Sequence, residues 1–143
     1  MTAFLFATLL SPLAVVAILS PIAAHNAGQS SPTAAIDEGQ RLFAIHCSSC
    51  HGPSGHGDGI RSSALQVRPP DLAQIAARNG GKFVTARIER IIDGRDLMVA
   101  HGTMEMPVWG DAFKRREGLT EQEIRSRIEA IVRYLASIQA RSS

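Results

Sequence analysis

The chain of 143 residues has only two cysteines, one tryptophan and one tyrosine, and aromatic residues make up 5% of it. Two cysteines cannot build the multi-bridge framework of a small disulfide scaffold. Charge is missing altogether from the first 36 residues, because all 15 Lys and Arg and all 13 Asp and Glu lie at or beyond Asp37. The formal net charge of +2 is too small and too scattered to argue for a nucleic-acid partner. No run alternates apolar and polar residues as a strand would, and no segment repeats. A composition of 45% apolar and 20% charged residues, with 12 Gly and 7 Pro, excludes a coiled coil, a collagen and a wholly disordered chain. A domain poor in both aromatics and crosslinks must find stability elsewhere, and a bound cofactor is one source.

What is present begins with an apolar stretch. From Ala3 to Ala24 the only polar side chains are Thr8, Ser11 and Ser20, and the run ends in the small residues Ala23 and Ala24. This pattern reads as a secretory signal, cleaved after Ala24 or Ala27. It lacks the Lys or Arg that normally opens such a signal. It is also long enough to act as a membrane anchor, which takes about 20 residues. The division expected is therefore 1–24 signal peptide or anchor, 25–33 polar linker and 34–140 folded domain. Export places that domain in the periplasm, with membrane attachment only if the N-terminal segment is retained.

Within the domain the periodicities are helical. A first helix is expected over 34–46, with Gly39 inside it at a cost of about 1 kcal/mol relative to Ala. The expected return is close approach of another helix. Residues 51–70 hold four Gly and three Pro and read as a loop. Asp71 caps a short helix over 72–78, and a third runs over 83–93 with Gly94 as its stop. Residues 94–110 read as a second irregular stretch. The last helix, 121–140, opens on a capping box of Thr120 and Glu123 with Leu119 and Ile124 as a hydrophobic staple. The fold class expected is all-α, with four main helices and two long loops. Loops of that length in a small domain usually carry function or wrap a ligand.

The chemistry concentrates in Cys47-Ser48-Ser49-Cys50-His51. A C-x-x-C-H sequence is the attachment pattern of haem c: two thiols at this spacing reach the two vinyl groups on one porphyrin edge, and the adjacent histidine sits beneath the iron. Three other readings compete. A thioredoxin-like site wants a βαβ setting, a structural zinc site wants four ligands, and a chance match in an exported protein would be a disulfide between Cys47 and Cys50. None has support elsewhere in the chain.

With these residues the sequence resembles the class I mono-haem cytochromes c, over nearly all of 34–140. Gly39, Phe43 and Cys47 match the spacing of that family's first helix, and Ile131 with Tyr134 matches the last helix that crosses it. Pro70-Asp71-Leu72 is similar to the family's loop after the haem motif. The resemblance implies that the Pro70 carbonyl accepts a hydrogen bond from His51 Nδ1, fixing the ring. Met106-Pro107 is similar to the family's ligand loop, and the resemblance implies iron held by His51 and Met106 in one haem c bound at Cys47 and Cys50. Met98, His101 and Met104 are the alternative sixth ligands. His46, His56 and His25 read as surface or supporting groups. Arg68 is a candidate partner of a haem propionate, and Trp109 a candidate wall or propionate donor.

The function implied is one-electron transfer between a redox donor and acceptor, a dehydrogenase or a terminal oxidase among them, with no substrate transformed. A haem subunit fixed in a membrane or periplasmic oxidoreductase complex is the alternative. An open-site haem enzyme or gas sensor is a third reading, which no distal His–Arg pair supports. Lys114, Arg115 and Arg116 form the densest basic cluster, which reads either as a docking patch or as a solvated turn.

Overall fold

A computed structural model describes residues 31–95 and 106–140. The apolar segment 1–24, most of the linker, and Met98, His101 and Met104 lie outside the described residues. Within them there are six α-helices and no strand: α1 (Pro32–His46), α2 (Ser48–His51), α3 (Ile75–Arg78), α4 (Thr85–Asp93), α5 (Trp109–Glu117) and α6 (Glu121–Ser137). Short 3-10 turns occupy Ser62–Ala64 and Leu72–Gln74. No described helix is long and apolar enough to cross a membrane.

The helix ends follow local chemistry. Ser31 accepts from the Ala34 N–H and Pro32 occupies the first turn, where its missing N–H has no intrahelical partner to lose. That pair starts α1 two residues before the expected Ala34. Both halves of the capping box before α6 are formed, with Thr120 N donating to Glu123 Oε2 at 2.8 Å and Glu123 N to Thr120 Oγ1 at 3.3 Å. Asp71 caps as expected, accepting from Ala73 N at 2.9 Å, but what it caps is a 3-10 turn that passes into α3.

α1 and α6 cross at Gly39. A Cβ there would clash with the Ala130 carbonyl oxygen, with the carbonyl carbon at 2.6 Å and Tyr134 Cβ at 2.9 Å. One helix step on, the Phe43 and Tyr134 rings pack with centroids 5.3 Å apart. Leu42, Phe43, Ile124, Ile131 and Val132 are almost completely buried around this crossing. Each such side chain contributes about 1.5–3 kcal/mol of burial. α4 adds Ile88 and Ile92 to the same core.

α5 falls in and after the stretch read as irregular, and it is the element the periodicity missed. Its buried face consists of Trp109, Ala112 and Phe113, and no side chain caps its start. Gly118, with φ 68°, ends it. Lys114, Arg115 and Arg116 are its last turn rather than a free turn, where positive charge complements the helix dipole.

Candidate functional site

α1 runs directly into the C-x-x-C-H segment. The Cys47 N–H still donates to Phe43 O at 2.9 Å, and α2 then turns through Ser48 to His51 before Gly52 stops it. The loop that follows folds back over this turn. Gly57 N donates to His51 O at 2.8 Å, Gly59 N to Cys50 O at 3.3 Å and Arg61 N to Ser49 O at 2.8 Å. The carbonyls left unpaired at the end of so short a helix are thus satisfied by backbone N–H groups. Sequence reading saw these glycines only as loop composition; their alternation at 55, 57 and 59 was the available signal.

The turn borders a cavity of about 950 Å³. Cys47, Cys50, His51 and Met106 all line it. Four residues singled out for one chemistry therefore meet on one space, although Met106 is far from the others in sequence. Ile88, Ile91 and Ile92 of α4 and Trp109 and Phe113 of α5 supply apolar walls, with Arg61, Arg68, Arg87 and Arg116 also among the lining residues.

Electrostatics at the turn follow from burial. Cys47 and Cys50 form no disulfide with each other. Burial, reinforced by the neighbouring Cys50, pushes the Cys47 thiol up to about 12. Burial pushes the His51 imidazole down, favouring its neutral form, the form that can donate a lone pair to a metal. His51 Nδ1 is buried with no hydrogen-bond partner. An orphaned buried polar atom costs about 1–3 kcal/mol, a cost consistent with a nitrogen kept for a ligand or its support.

That orphan also corrects one expectation. Pro70 lines the cavity with His51, yet its carbonyl does not receive Nδ1–H. The surrounding loop is held instead by Leu72 N donating to Gly55 O at 2.7 Å and by Arg68 Nε donating to Gly57 O at 3.0 Å. Arg68 lies on the cavity, and one of its nitrogens is committed to the loop.

Of the two roles expected for His46, surface or supporting group, the structure favours the second: it lines the cavity and packs edge-on against Trp109 and Phe113, with ring centroids 5.3 and 5.2 Å away. Burial lowers its pKa, opposed by Glu117, whose Oε1 is 3.9 Å from Nε2. Glu117 is also paired with Arg127, which lies over the Phe113 ring. The basic cluster is largely spoken for: Lys114 pairs with Glu121 at 2.9 Å and Arg115 with Asp111 at 3.1 Å, while Arg116 faces the cavity.

Thiols, histidine, thioether and apolar walls around one volume are the parts of a haem pocket, and a family model decides the matter by matching residues 36–139 as Cytochrome c. The chain belongs to the cytochrome c family. It is a haem-binding electron-transfer protein with the all-α fold of that family. No curated protein and no solved structure matches this cytochrome.

Proposed function

We propose that this cytochrome is an exported one-electron carrier with a single covalent haem c. The observation that carries the reading is the meeting of Cys47, Cys50, His51 and Met106 on one apolar cavity. Cys47 and Cys50 would hold the group by thioether bonds, and His51 and Met106 would ligate its iron. Bound there, haem supplies a one-electron couple in which the iron alternates between ferrous and ferric states. Methionine ligation raises its potential relative to a second histidine. Ile88, Ile92 and Trp109 exclude water, which penalises the more highly charged ferric state. A methionine closing the sixth position favours a carrier over an enzyme or gas sensor.

The apolar segment 1–24 supports export to the periplasm. Among the residues lining the cavity, Ile45, Val67, Arg61 and Arg87 are exposed. That mixture suits brief docking with a partner presenting an acidic rim, a dehydrogenase or terminal oxidase among the candidates. A permanent place in an oxidoreductase complex would use the same face.

The test is a spectrum of the purified protein followed by acid–acetone extraction. The expected result is a low-spin haem c spectrum with the colour retained by the protein. Full extraction of the haem would overturn covalent attachment, and a high-spin ferric spectrum would overturn the closed, carrier-type site.

A further inference from the structure

The chain enters the stretch leading to Met106 at Arg95, and this side chain is engaged on three sides. Its guanidinium grips Asp93 of α4 twice, Nε to Oδ1 at 2.6 Å and the second nitrogen to Oδ2 at 2.8 Å. Its remaining terminal nitrogen donates to Glu121 Oε2 of α6 at 2.8 Å, and the other oxygen of Glu121 accepts from Lys114 of α5 at 2.9 Å. The third side is Gly110, in the first turn of α5 and four residues beyond Met106. A Cβ on Gly110 would collide with Arg95 Nε, and would sit 2.5 Å from Asp93 Oδ1 and 3.0 Å from Arg95 Cδ. The guanidinium therefore lies on bare backbone, and any side chain at position 110 would displace it.

We propose that Arg95 is a positioning residue that fixes the start of α5 at Gly110, and with it Met106 four residues earlier, against the end of α4 and against α6. The proposal rests on the reading of Met106 as an axial ligand. A thioether is a weak ligand, and its hold depends on how firmly its residue is placed. Arg95 acts on that placement. Ion pairs near the surface add little to global stability, but a bidentate pair in a network fixes geometry. Local opening is governed separately from global unfolding.

The experiment uses holoprotein and free imidazole as a competitor for the sixth position. Apparent imidazole affinity rises in proportion to the open fraction. Arg95→Met removes the grip. Gly110→Ala keeps every charge but pushes the guanidinium off the backbone, and guards against a folding failure of the first variant. Both should bind imidazole about tenfold more tightly than wild type, with unchanged haem content, and Arg95→Lys should fall between. Wild-type imidazole affinity in both variants would overturn the proposal, even if their melting temperatures fall. Met106→Ala separates the two claims. If it keeps the ferric sulfur-to-iron band, the ligand reading fails, and the positioning role fails with it. If it loses that band while the Arg95 and Gly110 variants behave as wild type, only the positioning role fails.

Discussion

Gly39 of α1 sits so close to Ala130 of α6 that any β-carbon at position 39 would clash with the Ala130 carbonyl oxygen. The obstacle is helix backbone, which cannot rotate aside like a flexible side chain. Gly39→Ala should therefore force the helices apart despite the better helix propensity of alanine, at a cost of about 1–3 kcal/mol. In a domain of this size the melting temperature should fall by several degrees, roughly 4–8 °C per kcal/mol. Thermal melts of holoprotein check this. A melting temperature equal to or above wild type would show that the crossing is looser than described.

Attachment and folding should be coupled. The cavity is about 950 Å³. Leaving even a third of it unfilled would cost on the order of 8 kcal/mol at about 24 cal/mol per Å³, comparable with a typical total stability of ~5–15 kcal/mol. Cys47→Ala/Cys50→Ala protein should accordingly show no cooperative transition in calorimetry. A sharp endotherm there would mean that the helices hold themselves.

The sixth ligand is testable by a pair of variants. Met104 and Met106 are two thioethers two residues apart, and Pro107 favours an extended chain at Met106. Met106 lines the cavity. Met106→Ala should abolish the weak sulfur-to-iron band at the red end of the ferric spectrum and lower the midpoint potential, and Met104→Ala should do neither. The reverse pattern would move the ligand to Met104, and loss in neither would point to His101 or Met98.

Acid sensitivity should centre on the Arg95 network. Hydrogen bonds from Lys114 and then Arg95 hold the Glu121 carboxyl down from an ordinary 4.5 to about 2, and a hydrogen bond from Arg95 lowers that of Asp93. Both groups bind protons more weakly in the folded state. Their stabilisation is therefore complete above the ordinary value and is lost as pH falls from 4.5 towards 2. Arg95→Met should flatten the pH dependence of the unfolding midpoint across that window. An unchanged slope would show that other carboxylates dominate acid unfolding.

What the sequence made legible was whatever depends on near neighbours or on rare residues. Thr120 and Glu123 announce the start of α6 because both partners of the box lie in one turn. Gly39 announces a helix crossing because glycine is costly where nothing demands it. Cys47, Cys50 and His51 are contiguous, and Met106 was flagged by its proline. α5 was missed because its buried face is only Trp109, Ala112 and Phe113 and no capping side chain marks its start. The choice between a surface and a supporting role for His46 stayed open for the same reason, since the rings that pack on it belong to α5. Arg95 was invisible for a different reason: its partners are a carboxylate two residues away, one on a distant helix, and the absence of a side chain at Gly110.

The backbone bonds that fold the 52–61 loop over the C-x-x-C-H turn have an engineering consequence. Gly57 and Gly59, whose N–H groups hold the turn, are buried, whereas His56, Asp58 and Ile60 beside them are exposed, Ile60 to 90%. Binding information and outward decoration therefore interleave residue by residue. A thiol-reactive tether or an electrode linker introduced at Ile60 would be next to Gly59, whose N–H bonds Cys50 O, without removing any bond that shapes the turn. The loop is in this sense a handle, through which the redox centre can be wired to a chosen surface from outside.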